Sequence, residues 1–232
     1  GVADYFDDYL KDNSNWNKFP QEYREALKYE DKIYAITAGY VGDYFTRSIR
    51  KDWLDHLGLK VPETVDELYD VAKAFTENDP DNNGKNDTGG LSAAGTWNLG
   101  DIFQAFDARL DNTSSGSITW DPKEDAWVDS MLKPEMIDAL YFLKRLYDNK
   151  YLDNEFLTNS GNNMREKIYT GVYGSTFYWS MFGYNTCINN MKKNFPQVEF
   201  VEVPAIKGKR TEKLNPRVMR GNYYILIKDT KQ

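Results

Sequence analysis

The chain has 232 residues, enough for one large or two modest domains with a substantial core. Its net charge is −7, with no long basic run, which excludes nucleic acid and an anionic membrane surface as natural partners. No apolar run approaches the ~20 residues that would span a bilayer, and one cysteine, Cys187, rules out an internal disulfide.

Aromatic residues are plentiful, at 17 Tyr, 12 Phe and 6 Trp, in a chain of mean hydropathy −0.71. Many of those rings are therefore expected at the surface or in a cleft, where they can stack on neutral polar ligands. The chain opens on Gly1-Val2-Ala3 without an initiator methionine, as a processed or cut chain would, so a missing leader says nothing of compartment.

In chain order, Lys32–Thr37 and Tyr44–Arg50 read as strands separated by a turn at Gly39 and Gly42. A short helix through Trp53 and Leu57 stops at Gly58, a favoured residue just past a helix end. Thr64-Val65-Asp66-Glu67 forms a capping box opening an amphipathic helix with Val65, Leu68, Ala72 and Phe75 on one face. Pro134 starts another helix, carrying Ile137, Leu140, Lys144 and Tyr147 down one side. A short helix with Met164 and Ile168 closes at Gly171, and Gly171–Phe177 reads as a strand. A helix from Phe182 to Lys193 and strands at Val198–Val203 and Tyr223–Ile227 complete the pattern. Alternating strands and helices imply an α/β fold with a sheet covered on both faces.

The segment between Asp79 and Asp87 carries oxygen side chains at Asp79, Asp81, Asn83 and Asp87, with Gly84 at the tight turn. This is most of an EF-hand-type loop: ligands at one, three, five and nine, a backbone carbonyl at seven (Lys85), and Gly at six. Calcium takes about six to eight oxygen ligands, and alternating acceptors wrap it without a prebuilt cavity. Gly90 stands at the twelfth position in place of the bidentate Glu, so weaker binding than in a complete loop is expected. The alternative is a polar turn following a helix, built of the usual Asn, Asp and Gly.

Ligands in open α/β sheets bind beyond the carboxyl ends of the strands. That rule selects Tyr178 and Trp179, after the Gly171–Phe177 strand, and Trp97 and Asn98, after the Gly-rich turn Gly89–Gly95. A Trp ring beside an amide or hydroxyl suits a sugar, the ring stacking on C–H faces while the polar group takes hydroxyls. Each Trp can equally be ordinary core, and Trp53, on a helix face, is read as core. Enzyme signatures are thin. Gly90-Leu91-Ser92-Ala93-Ala94 only approaches a nucleophile elbow, Cys187 and His56 lie on distant segments, and no phosphate loop or H-E-x-x-H is present. No carboxylate pair is singled out by spacing, which leaves a glycosidase pair open.

The run Arg50–Asp87 resembles extracellular solute-binding proteins of family 1, the substrate-capturing lipoproteins of bacterial carbohydrate ABC transporters. Glu30–Thr37 resembles the family's D-G-K-I-Y-A-I-P segment with Asp31 and Thr37 as departures, and Pro134–Glu155 and Val201–Gly208 fit as well. The resemblance implies a periplasmic-binding-protein-like type II fold, mainly one lobe of a two-lobe clamp, in a chain about half the family's length. Residues 1–43 would belong to the first lobe and the hinge crossing, 44–204 to the second lobe, and 205–232 to the return. The crossing near Gly39–Asp43 adds Tyr40 and Asp43 to the candidate ligand contacts, and Trp179 falls where maltose-binding relatives carry a stacking Trp. In alginate-binding relatives the acidic loop holds a structural calcium ion, which maps onto Asp79, Asp81, Asn83, Lys85 and Asp87. Thr88 replaces their Glu.

The implied protein is non-enzymatic, captures an oligosaccharide outside the cell, and hands it to an ABC transporter permease. It would be monomeric and touch the membrane only through a lipid anchor absent from this chain. A binding protein for a peptide or other solute in the same fold, and a glycan-processing enzyme fragment, are the rival readings.

Overall fold

The computed structural model describes residues 3–18, 21–37, 45–110, 117–121, 123–203, 206–208 and 223–227. The chain divides into two compact units, Gly1–Tyr44 with Arg217–Gln232, and Phe45–Pro216. Beside these limits stand the expected crossing at 43/44 and return at 204/205; residues 38–44, 204–205 and 209–222 lie outside the described residues.

The first unit holds β1 (Ala3–Asp4), α1 (Asp7–Leu10), α2 (Ser14–Asn17), α3 (Gln21–Ala26), β2 (Lys28–Tyr29), β3 (Lys32–Ile33) and β4 (Ala35–Thr37). The expected Lys32–Thr37 strand is thus split at Tyr34. The second unit holds β5 (Phe45–Arg50), α4 (Lys51–His56), α5 (Val65–Glu77), β6 (Gly89–Leu91) and α6 (Gly100–Ala105). It continues with β7 (Ile118–Asp121), β8 (Ala126–Asp129), α7 (Pro134–Asp148), α8 (Gly161–Tyr169), β9 (Tyr173–Trp179), α9 (Ile188–Met191) and β10 (Phe200–Val203). β11 (Tyr223–Ile227) returns to the first unit, lying antiparallel between β1 and β4.

The sheet of the second unit has the order β10-β5-β9-β6. β5 runs antiparallel to β10 and β9, and β6 runs parallel to β9. The carboxyl ends of β6, β9 and β10 therefore meet the amino end of β5 at one edge, where Phe45 pairs with Trp179 and Val203 with Arg47. Thr46–Arg50 and Gly174–Tyr178 are buried without alternation, because helices cover both faces.

α5 opens on the expected capping box: Thr64 Oγ1 accepts from the Glu67 N–H, and the Glu67 carboxylate accepts from the Thr64 N–H. Its Val65, Leu68, Val71, Ala72 and Phe75 are buried in the main core. Each of the larger side chains, Val65, Leu68, Val71 and Phe75, contributes about 1.5–3 kcal/mol relative to exposure. The helix lies close on β6, where a Cβ on Gly90 would sit 2.7 Å from Ala72 Cα, Cβ and O. Gly58 and Gly171 take the left-handed conformation (φ +67° and +78°) that ends the turns before them.

α7 buries a side other than the one read in the sequence. Its buried residues are Met136, Ala139, Phe142, Leu143 and Leu146. Ile137 is 55% exposed, and Leu140 and Tyr147 face outward with it. Both stripes have helical spacing, and only the neighbouring layer selects between them. The expected Phe182–Lys193 helix begins as a widened π-type turn at Phe182–Cys187 before α9. The hairpin β7–β8, unread in the sequence, pairs the exposed rings of Trp120 and Trp127 at 5.8 Å.

A buried ion pair ties the sheet to α6. Arg47, fully buried on β5, donates through Nε and Nη2 to the two Asp101 oxygens at 2.6 and 2.7 Å. On the other face of β5, the Glu202 carboxylate accepts from Thr46 Oγ1, from Ser48 Oγ at 2.8 Å and from the Gly183 N–H at 3.0 Å. That bond anchors the π-type turn to β10.

Candidate functional site

β9 ends in Tyr178 and Trp179, the last two residues of the strand itself rather than residues following it. Trp179 is 52% exposed and stacks on the buried Tyr178 at 5.2 Å and 28°. Trp97 lies on the 3-10 turn Thr96–Leu99, partly buried, with its ring 5.3 Å from Tyr178 and 6.1 Å from Phe45. Phe182 closes the underside of Tyr178 at 4.5 Å. The ring cluster sits where the carboxyl ends of β6 and β9 meet the start of β5, the edge at which α/β sheets present ligand sites.

The tyrosine is fixed as well as packed. Arg165 Nη1, reaching from α8, donates to the Tyr178 hydroxyl at 2.7 Å. A buried ring with a satisfied hydroxyl thus backs the exposed ring of Trp179. Phe45, Arg165 and Phe182 escaped the sequence reading. Phe45 opens a strand and Arg165 lies on a helix, and no local motif distinguishes either.

Asn98 requires correction as a ligand contact. It is fully buried; its Oδ1 accepts from the Ala94 N–H at 2.9 Å and its Nδ2 donates to the Phe177 carbonyl at 2.6 Å. The amide pins the Gly-rich turn to β9 and is out of reach of solvent. Tyr178 supports the site through its ring face and neighbours and exposes little surface of its own. Tyr40 and Asp43 lie outside the described residues. Trp53 is core, 5.1 Å edge-on to Phe75.

In the acidic loop, Asp79 accepts from the backbone N–H groups of Asn83 (3.1 Å) and Gly84 (2.9 Å), with Gly84 in the left-handed conformation. Asn83 Nδ2 donates to Asp81 and Asp87 carboxylates at 2.9 and 3.1 Å, and Asn83 Oδ1 accepts from the Lys85 N–H. Burial works against the Asp79 carboxylate, but the Gly84 N–H, Asp81 and the Asn83 N–H outweigh it and hold the group below its ordinary value. Asp81 is pushed up by burial, by its contact with Asp79 and by the Asp87 charge. Oδ1 of Asp81 is buried and accepts no hydrogen bond, which a cation would remedy. Among the described residues, however, no group of three His, Cys, Asp or Glu is arranged to hold a metal ion. Thr88 turns inward and donates to the Phe75 carbonyl, so it adds no oxygen to the loop.

No nucleophile emerges at the near-elbow. Ser92 is buried and donates to Asp153, itself paired with Lys167 at 2.8 Å. Cys187 is fully buried, and that burial pushes its thiol above the ordinary value.

Sheet order, strand directions and the ring cluster at the carboxyl edge define a mixed α/β binding-protein fold of the periplasmic type II class. The chain belongs to the bacterial extracellular solute-binding protein family, whose profile matches residues 2–232. It is 35% identical over 170 residues to the polygalacturonan/rhamnogalacturonan-binding protein YtcQ of Bacillus subtilis, covering 72% of this chain and 32% of that protein. FusA of Streptococcus pneumoniae, solved in complex with kestose, superposes with a TM-score of 0.64 at 21% identity over 100% of this chain and 49% of that one. The same protein as an EF-hand mutant in complex with fructo-nystose gives 0.63 at 20% identity, with 98% and 48% covered. A solute-binding protein from Bifidobacterium longum infantis that binds HMO gives 0.67 at 18% identity, again with 98% and 48% covered. The chain thus spans about a third of the first curated relative and about half of these solved structures.

Among the described residues, no helix is long and apolar enough to cross a membrane.

Proposed function

We propose that the chain is the greater part of one lobe of an extracellular, non-enzymatic binding protein that captures an oligosaccharide for an ABC transporter permease. The observation that carries the reading is Trp179, half exposed at the carboxyl end of β9 and stacked on a tyrosine that Arg165 holds in place. Trp179 takes the C–H face of a sugar ring, Trp97 lines the neighbouring position, and closure of a two-lobe clamp supplies the remaining contacts. Tyr40 and Asp43 belong to the crossing between lobes in this reading, and a lipid anchor outside the sequence holds the monomeric protein at the cell surface. The names of YtcQ and FusA, both binders of carbohydrate, support the ligand class.

Tryptophan-fluorescence titration with a panel of oligosaccharides tests it. A saturable change that Trp179→Ala abolishes is expected. An unchanged titration in Trp179→Ala would remove that ring from the site, and saturable binding of peptides in place of sugars would favour a different solute.

Calcium completes the reading as a structural ion. Asp79, Asp81, Asn83, Asp87 and the Lys85 carbonyl would hold it, the orphaned Asp81 oxygen among them, and it would brace the loop between α5 and β6. Melting temperature should rise with calcium over chelator; equal values refute this half.

A further inference from the structure

Arg165 has a second property that the stack does not use. Two of its five N–H groups have protein partners, the Tyr178 hydroxyl at 2.7 Å and the neighbouring Asn162 side chain. Among the described residues no carboxylate pairs with it. Four other buried or partly buried cations of the second unit, Arg47, Arg50, Lys133 and Lys167, are each matched to an Asp or Glu. What sets Arg165 apart is its place: a partly exposed guanidinium with no carboxylate partner among the described residues, beside the ring cluster. The guanidinium carbon is 6.0 Å from the Tyr178 ring, which is itself 5.2 and 5.3 Å from Trp179 and Trp97.

We propose that Arg165 selects the ligand by charge: the site takes oligosaccharides that carry a carboxylate, such as uronic-acid oligomers, over neutral ones. The inference rests on the sugar-capture reading and deepens it. Its chemistry is the planar fork of donors that matches a carboxylate, set at the edge of an aromatic platform. The platform binds any sugar face, and the guanidinium adds a term that only an acidic sugar collects. The overall negative charge of the protein does not oppose this at working ionic strength, since charges beyond about 8–10 Å are largely screened.

A matched ligand pair separates this role from a merely structural one. Galacturonate oligomers and galactose oligomers of the same length and linkage differ only in the carboxylate. A charge-assisted hydrogen bond predicts about a tenfold to hundredfold preference of the full chain for the acidic member, shrinking as salt rises. Arg165→Gln should abolish the preference by weakening the acidic ligand more than the neutral one, and Arg165→Lys should keep part of it. If Arg165 only positions Tyr178, Arg165→Gln weakens both ligands equally, and that result overturns the proposal. Equal affinity of the unaltered chain for the two ligands overturns it too, leaving sugar capture intact. Failure of either ligand to give a Trp179-dependent response at millimolar concentration defeats the capture reading and this inference with it.

Discussion

Removing the Asp101 carboxylate should destabilise the second unit more than almost any other single polar substitution. Arg47 is 0% exposed and Asp101 4%, and their two bonds of 2.6 and 2.7 Å form a bidentate pair between β5 and α6. In Asp101→Ala the guanidinium stays buried with Ser175 Oγ at 3.4 Å, at the limit of hydrogen-bond reach. Breaking a buried pair by deleting one partner costs about 3–5 kcal/mol, because the surviving charge can neither hydrate nor neutralise. For a unit of the size of Phe45–Pro216 that is a fall of about 6–20 °C in melting temperature, at about 2–4 °C per kcal/mol. Urea unfolding followed by circular dichroism gives the free energy. The double variant Arg47→Met/Asp101→Leu supplies the control: with both charges gone, most of the loss should be recovered. A loss below about 1 kcal/mol in Asp101→Ala, or a double variant no better than the single one, would refute the reasoning.

Two further outcomes follow from local geometry. On α7, Leu146→Ala should cost about 2–5 kcal/mol and Ile137→Ala under about 0.5 in denaturant unfolding, since the first is fully buried and the second 55% exposed; equal losses would show the face assigned wrongly. The Glu67 carboxylate is held below its ordinary value, chiefly by the Glu63 N–H at 2.7 Å with the Thr64 N–H at 3.1 Å, against some burial. A depressed carboxyl contributes stability that is complete above the unfolded value of about 4.3 and is lost as pH falls through the lower folded value. The advantage of the unaltered chain over Glu67→Gln in unfolding midpoint should therefore shrink below about pH 4, and an advantage that grows there would contradict the box.

Elements encoded by neighbouring residues were legible in the chain. The Thr64–Glu67 box, the positive-φ stops at Gly58 and Gly171, the β5 and β11 strands and the Pro134 start each depend on a few adjacent residues. The strand that carries Trp179 at its end was legible too, from its run of adjacent apolar and aromatic residues. β6 was not, since Gly-Gly-Leu has poor strand propensity; it is a strand because only glycine at position 90 admits the backbone of Ala72.

The sequence by itself therefore determined most of the local elements and the fold class, and it placed Trp179 at a strand end. Tertiary structure decided which stripe of α7 is core, that Arg47 rests on Asp101, that Asn98 holds backbone, and that Arg165 donates to the Tyr178 hydroxyl. The reason is physical. A cap or a turn is a contact among residues a few positions apart, whereas a partner across 54 residues, such as Asp101 for Arg47, is chosen only when the layers close and water leaves.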